Sequence, residues 1–330
     1  NSFSKFTIMS VLIYLDQADG QIKKSGLEAA GYGAKVAEQL GTTAVGLVLG
    51  SINADDVKAV GKYGVTKVLQ VSDTSLDTFD AQVYTAVIAE VVTQQNASVV
   101  VFSHNANGKA VAPRLSVRLK AGLVAGAVAL PDTSNGFIVK KSVFSGKAFA
   151  NVAVNTAMKI VSLNPNAYGL KATGSGEASV ESVSVSVPVA KVKVTGKNTA
   201  APGEVPLTEA SLVVSGGRGL KGPENWGIVT DLAQALGAST ACSRPVADAH
   251  WRPHNEHVGQ TGGAISPNLY IAIGISGAIQ HLAGVNRSKY IVVINKDPEA
   301  QFFKAADYAI VGDPFEIVPK ITEAVKKLKA

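Results

Sequence analysis

Residues 255–297 read NEHVGQTGGAISPNLYIAIGISGAIQHLAGVNRSKYIVVINKD, and this segment contains two glycine-rich turns on either side of an apolar run of strand length. The run from Leu269 to Ile275 predicts a strand, and Ser276 to Ala278 can begin a helix directly after it. The first N–H groups of a helix have no partner in the chain and lie at the positive end of its dipole. The pattern therefore favours an anion or cofactor site, where Gly277 would let a ligand approach the backbone.

A second apolar run follows, and polar residues come directly after it. Tyr290 to Ile294 predicts a strand that leads into Asn295, Lys296 and Asp297. In open α/β sheets, ligands bind at the carboxyl ends of the parallel strands. We therefore expect most of the chemistry of the chain in this region.

The N-terminal half alternates apolar strand runs with helical periodicity. Strands are predicted at 11–15, 45–49, 65–71 and 98–102. Helices are predicted between them at 26–40 and 81–94. Such alternation is typical of βαβ units and a parallel sheet.

From Phe137 to Val194 the pattern changes to alternating apolar and polar positions with Gly and Asn-Pro turns. We expect antiparallel strands there, added to the edge of the sheet, in the segments 137–144, 151–155, 158–163 and 178–194. Residues 196–210 combine prolines and glycines with little apolar content, which predicts a linker. The predicted domains are therefore 9–200 and 201–330.

A second α/β domain is predicted after this linker. Residues 212–220 (LVVSGGRGL) predict a strand and a glycine-rich turn, and residues 223–236 predict a helix that Gly237 ends. Asp313 to Lys329 predicts an amphipathic closing helix. The expected fold class is α/β, with an N-terminal Rossmann-like parallel sheet domain carrying added antiparallel strands and a second, C-terminal α/β domain.

Composition argues against several classes of function. The 330 residues carry a net charge of +6, but the lysines are scattered among acids and no aromatic residues interleave with a basic run, so nucleic-acid binding is not expected. No apolar run approaches the roughly 20 residues of a membrane span, and a membrane-spanning protein is not expected. The single cysteine, Cys242, rules out an internal disulfide and fits a reducing compartment.

Five motifs in order carry a resemblance to a known family. They are SGGRGL (215–220), CSRPVADA (242–249), VGQTG (258–262), GISGAIQH (274–281) and NKDPEAQFFKAADY (295–308). With this ordered set the chain resembles the alpha subunits of electron transfer flavoproteins. The resemblance covers nearly the whole chain and is tighter from 212 to 330 than from 10 to 195.

The resemblance implies a redox carrier and not an enzyme. It implies a heterodimer with a beta subunit, FAD in the C-terminal domain, no cofactor in the N-terminal domain, and AMP in the beta subunit. Electrons would come from dehydrogenases such as the acyl-CoA dehydrogenases of fatty acid beta-oxidation and pass to a membrane quinone reductase or another acceptor oxidoreductase. The compartment implied is the bacterial cytoplasm, or the mitochondrial matrix in a eukaryote.

The family's FAD contacts can be carried over motif by motif. They fall on Arg218, Ser243, Arg244, Val258, Gly259, Gln260, Thr261, Ser276, Gly277, Ala278, Ile279, Gln280, His281, Asn295 and Asp313. Arg244, Thr261 and His281 are the residues expected to tune the flavin, with His281 donating toward its pyrimidine edge. This chain departs from the family at Gly263, where a lysine is usual after the QTG motif.

Taken alone, these residues also fit roles without a cofactor. Arg218 fits a solvated loop and Arg244 a surface ion pair. Thr261 fits a turn, and His281 fits a core or capping histidine. Two rival functions remain on the residues alone: an NAD-dependent enzyme with a dinucleotide-binding C-terminal domain, and a cofactor-free nucleotide sensor.

The histidine-rich segment 250–257 raises the question of a metal site. His250, His254 and His257 would share one face of a regular helix, but Pro253 argues against such a helix, and no metal is expected. Cys242 is interpreted as a small buried side chain, although Arg244 nearby could lower the pKa of its thiol.

Overall fold

The computed structural model describes residues 9–196 and 206–329, so most of the predicted linker lies outside the described residues. The contacts between residues divide the chain into two compact units. The first unit extends to Ser142 and resumes at Phe149, and the second contains Val143–Ala148 together with the described residues from Pro206 onward.

The first unit is built on a β-sheet. Its strands, with those of a small separate hairpin, are β1 (Ser10–Tyr14), β2 (Gln17–Ala18), β3 (Gln21–Ile22), β4 (Thr43–Leu49), β5 (Lys67–Val71), β6 (Ala97–Ser103), β7 (Gly122–Ala127), β8 (Ile138–Val143), β9 (Ala148–Ala153), β10 (Lys159–Leu163) and β11 (Ser179–Ser182). The described residues form a nine-stranded sheet in the order β11-β5-β4-β1-β6-β10-β7-β8-β9. The predicted parallel core of this sheet is confirmed, because β1 pairs in parallel with both β4 and β6.

Helices cover both faces of that sheet. They are α1 (Lys24–Gln39), α2 (Ala54–Ala59), α3 (Ala81–Gln94) and α4 (Ala106–Leu119). Ile13 packs with Tyr32 of α1 on one face, and Tyr14 packs with Val87 of α3 on the other. Successive residues of a strand point to opposite faces, so β1 is buried on both sides, as parallel strands between helix layers are.

The expectation of antiparallel strands at the sheet edge is only partly correct. β8 pairs antiparallel with β7, as predicted. In contrast, β10 lies inside the sheet, in parallel register with β6 and β7, and β11 pairs in parallel with β5. Residues 183–196 form no strand. Alternation identifies a strand but not its partner, because pairing is decided by contacts distant in sequence.

The strand order of this sheet reverses between β1 and β6, and polar side chains fill that point. Asp16, which follows β1, is only 1% exposed. Its carboxylate accepts from Asn105 Nδ2 at 2.7 Å, from Asn107 Nδ2 at 2.9 Å and from Lys23 Nζ at 2.9 Å. The Tyr14 hydroxyl donates to it at 3.3 Å. A buried carboxylate with these donors is satisfied within the protein.

The second unit contains a smaller, all-parallel sheet. Its strands are β12 (Leu212–Gly216), β13 (Ser239–Cys242), β14 (Leu269–Ile273), β15 (Tyr290–Asn295) and β16 (Tyr308–Val311), in the order β13-β12-β14-β15-β16. Its helices are α5 (Gly227–Leu236), α6 (Arg244–Asp248), α7 (Ile279–Val285) and α8 (Pro314–Lys329).

Two predicted features of this unit are confirmed. Gly237 ends α5 in a left-handed conformation with φ 68°, and α8 closes the chain as a helix with lysines in its last turn. The predicted α/β class is confirmed for both units. None of the helices in the described ranges is long and apolar enough to cross a membrane.

Candidate cofactor site

The carboxyl ends of the strands in the second unit surround a cavity. The strand order reverses between β12 and β14, because β13 lies on one side of β12 and β14 on the other. Open α/β sheets bind ligands at such a point. The loops that follow β12, β13, β14 and β15 all contribute to its walls.

The cavity has a volume of about 950 Å³, within the range of ligand sites. Every residue carried over from the family motifs lines it, except Ile279 and Asp313. The other lining residues, which were not among the carried-over FAD contacts, are Gly219, Pro245, Asp248, Ala249, His257, Gly274, Ile275 and Asp297.

Ile279 and Asp313 do not line the cavity, although each lies close to residues that do. Ile279 is the first residue of α7 and is 62% exposed. Asp313 accepts the Phe315 N–H at 3.0 Å and lies 3.6 Å from Lys296 Nζ. Its position at the start of α8 is that of a helix cap, which stabilises the helix without any ligand.

The turns after β12 and β14 touch through their backbones. Gly274 has φ +63°, and a Cβ on Gly219 would lie 2.7 Å from the Gly274 Cα. The Gly219 N–H donates to the Gly274 carbonyl at 3.0 Å. A side chain at Gly219 would force these turns apart. Glycine at this position therefore allows the two turns that line the cavity to pack together.

Gly277 lies at the cavity and also has a packing role that was not expected from the sequence. It lines the cavity and has φ +80°, but a Cβ there would lie 2.4 Å from the Phe302 Cβ. The need for glycine at this position therefore comes from packing against Phe302 and from the left-handed backbone.

Arg244 lines the cavity and also forms an ion pair within its own helix. Its side chain is 61% exposed, and its Nε lies 3.3 Å from Asp248 Oδ2, four residues later on α6. Its Nη1 donates to Thr261 Oγ1 at 3.2 Å, which joins the loop after β13 to the QTG turn. The ion pair could have been found from the i,i+4 spacing of Arg244 and Asp248.

His281 is a buried polar residue of the site, at 7% exposed. Its Nε2 lies 2.8 Å from the Tyr270 hydroxyl, while its buried Nδ1 has no hydrogen-bond partner. Burial, and then His257, lowers the pKa of His281 to about 4, while the Val258 backbone acts in the opposite direction. The ring is therefore neutral near pH 7.

Polar groups from the remaining loops complete the walls. Arg218 opens a short turn directly after β12. Asn295 Nδ2 donates to the Ile275 carbonyl at 2.9 Å, and its side-chain oxygen accepts the Asp297 N–H at 3.1 Å. Asn295 therefore connects the ends of β14 and β15. The site offers guanidinium, imidazole, amide and hydroxyl groups, which suit a ligand that is polar and anionic in part.

The histidine segment does not form a metal site within the described residues. No group of three or more His, Cys, Asp or Glu side chains in that part of the chain is arranged to hold a metal ion. His257 is buried and lines the cavity, and burial followed by Arg244 lowers its pKa.

Cys242 is fully buried, as interpreted from the sequence. Burial raises the pKa of its thiol to about 12, so the expectation that Arg244 could lower it is wrong. Two charged residues act on this pKa in opposite directions, because Glu256 raises it and Arg252 lowers it.

Comparison with known proteins agrees with this geometry. Residues 11–188 match the model of the electron transfer flavoprotein domain, and residues 206–286 match that of the electron transfer flavoprotein FAD-binding domain. The chain is similar to the electron transfer flavoprotein subunit alpha of Bacillus subtilis (strain 168), with 38% identity over 96% of this chain and 98% of the relative.

Two further relatives extend this similarity across kingdoms. The electron transfer flavoprotein subunit alpha of Syntrophomonas wolfei is 34% identical over 96% of this chain and 98% of its own. A probable mitochondrial electron transfer flavoprotein subunit alpha of Cryptococcus neoformans var. grubii is 35% identical over 98% of this chain and 93% of its own. The chain belongs to the electron transfer flavoprotein alpha-subunit family, whose members are FAD-containing electron carriers and not enzymes.

Proposed function

We propose that the cavity of the second unit holds FAD and that the residues around it set how readily the flavin takes up and gives back electrons. The observation that supports this most strongly is that the carried-over residues from separate motifs line one cavity at a strand-order reversal.

The residues present fit FAD on three counts. The cavity volume of about 950 Å³ accommodates a ligand at the upper end of the usual size range. Arg218 and Arg244 supply guanidinium groups, which suit phosphate and other anionic groups. Finally, the buried Nδ1 of His281 lacks a partner within the protein. A buried polar atom without a partner calls for a ligand group or water.

The bound FAD would supply reversible electron uptake, and the chain would supply position and electrostatics. Arg218, in the turn after β12, would hold the phosphate or adenine side. Arg244 would place a cation near the ring system, with Asp248 offsetting part of its charge. His281 would donate a hydrogen bond to a ring carbonyl, where negative charge increases on reduction.

Membership of the family implies a heterodimer with a beta subunit. Within that complex we propose that AMP belongs to the beta subunit. We propose acyl-CoA and related dehydrogenases as electron donors and a membrane quinone reductase or another oxidoreductase as the acceptor. The proposed compartment is the bacterial cytoplasm or the mitochondrial matrix, in line with relatives from both kinds of organism.

The rival functions have no comparable support. Both family models describe electron transfer flavoproteins, and nothing in the comparisons points to an NAD-dependent enzyme or a nucleotide sensor.

The test is to produce the chain with its beta subunit and to measure the flavin spectrum and the FAD content of the purified complex. We expect a yellow complex, and much lower FAD retention by the chain alone, because this chain would contact the cofactor from one side and the beta subunit would cover the other. A colourless complex that binds NAD(H) would overturn the proposal.

A matched pair of variants assigns the binding to this cavity. Arg218→Ala should lower the FAD content, whereas Arg118→Ala, which removes an exposed arginine from α4, should leave it unchanged. Equal FAD content in the two variants would show that Arg218 does not contribute to FAD binding.

A further inference from the structure

The hydrogen bond between His281 and Tyr270 determines which nitrogen of the imidazole carries the proton. A neutral imidazole has one N–H, and the bond made by one nitrogen fixes the state of the other. Here Nε2 lies 2.8 Å from the Tyr270 hydroxyl, so one of these groups donates and the other accepts.

The phenol is the donor of this pair. Tyr270 is fully buried, and burial raises its pKa far above the usual value, so the hydroxyl keeps its proton. That proton needs an acceptor in a dry environment. Ser215 Oγ is buried and makes no hydrogen bond in the structure, whereas His281 Nε2 lies within hydrogen-bond distance of the hydroxyl. The unprotonated Nε2 of His281 is therefore the acceptor.

Aromatic packing holds the two side chains in this arrangement. The His281 ring packs edge-on against Phe302 at 5.6 Å between centroids, and the Tyr270 ring lies 6.2 Å from Phe302. Turning the imidazole over would break the Tyr270 bond and disturb these contacts. The orientation of the ring is thus set by residues behind it.

We propose that Tyr270 is a positioning residue that fixes His281 as the Nδ1–H tautomer, so that the imidazole offers a hydrogen-bond donor to the ligand of the cavity. That the ligand acceptor is a flavin carbonyl rests on the proposed function, whereas the tautomer depends on this chain alone. Without the Tyr270 hydroxyl, the proton would be free to move to Nε2 and leave an acceptor where a donor is required.

The tautomer is measured by nitrogen NMR. The chain has five histidines, so [15N]histidine labelling of this subunit in the complex with an unlabelled beta subunit gives few signals. The His281 signal is assigned by its loss in His281→Gln. We expect Nδ1 to be protonated and Nε2 unprotonated, before and after removal of the flavin. Protonation at Nε2 would overturn the proposal, and this measurement needs no Tyr270 variant.

Tyr270→Phe then tests the positioning role. It removes only the hydroxyl, and Tyr290→Phe removes the same group from a residue that is exposed at the start of β15. We expect a mixture of His281 tautomers in Tyr270→Phe, and a preference for reduced over oxidised FAD that is weaker by roughly threefold to tenfold. Tyr290→Phe should match the parent in both measurements.

The results separate this proposal from the proposed function. An unchanged tautomer and an unchanged preference for reduced FAD in Tyr270→Phe would reduce Tyr270 to a packing residue, even with normal flavin content. A complex that contains no flavin would refute the proposed function, while the tautomer measurement would still decide the role of Tyr270.

Discussion

The first unit reverses its strand order between β1 and β6, and the second reverses it between β12 and β14. In the first unit the residues after the strands are Asp16 and Asn105, whose side chains bond to each other at 2.7 Å. In the second unit the corresponding turns contain Gly219 and Gly274, whose backbones touch and leave a cavity beside them. Topology creates a possible ligand position in both units, and the residues after the strands decide whether it stays open.

The largest expected effect comes from disrupting the hydrogen bonds of Asp16, at the point where the strand order of the first sheet reverses. Asp16→Ala would leave Lys23, Asn105 and Asn107 without their shared acceptor in a buried place. We expect a loss of about 3 kcal/mol in the free energy of unfolding, measured by urea titration of the complex. Asp55→Ala, at an exposed position in α2, should cost far less. Comparable losses in the two variants would show that the network contributes little.

The second prediction concerns the pH dependence of the second unit. The pKa of His281 is lowered to about 4, whereas an unfolded histidine has a pKa near 6.5. Between these values the unfolded chain binds a proton that the folded chain does not, so stability is lost as the pH falls below 6.5. We expect this histidine to lower the free energy of unfolding by about 2 kcal/mol as the pH falls from 7.5 to 5.

Urea unfolding of the chain without FAD measures this effect. The two tryptophans, Trp226 and Trp251, both belong to the second unit, so their fluorescence follows it. His281→Gln should flatten the dependence on pH, and His254→Gln, at an exposed position, should not. Identical slopes for the parent and His281→Gln would contradict the lowered pKa.

The third prediction removes a donor from the open site. His281→Ala should lower the midpoint potential of bound FAD, because the lost hydrogen bond stabilises the flavin more after reduction than before. The expected change in the free energy of flavin reduction is on the order of 1–2 kcal/mol. The FAD content should stay close to that of the parent. Redox titrations at two pH values above 6 should give the same difference, since the ring is neutral throughout. A potential within error of the parent would make this histidine structural.

The smallest expected effect is that of Arg244→Ala. Its charge is largely exposed and paired with Asp248, so solvent and the carboxylate both weaken its influence. We expect the flavin potential to fall, because the free energy of flavin reduction becomes less favourable by no more than about 1 kcal/mol. Asp248→Ala should shift the potential in the opposite direction. Equal potentials for the parent and both variants would confine this pair to a surface role.

Most strands could be predicted, because apolar runs such as 98–102 need burial on both faces of a sheet. The position of β10 could not, since its sequence alternates like an edge strand while its partners β6 and β7 are distant in the chain. At the site, the motif residues could be carried over because the family fixes them. Tyr270 could not be singled out, as a tyrosine within an apolar strand has the pattern of a core residue.

The insertion of β10 between β6 and β7 also bears on how the chain folds as it leaves the ribosome. Until residues 159–163 have been synthesised, one edge of β6 has no partner, and that edge presents Val99 to Phe102. Unpaired apolar strand edges promote aggregation, and pairings between distant segments form slowly. An N-terminal fragment that stops before Lys159 is therefore expected to be insoluble, and a useful truncation must extend beyond Leu163.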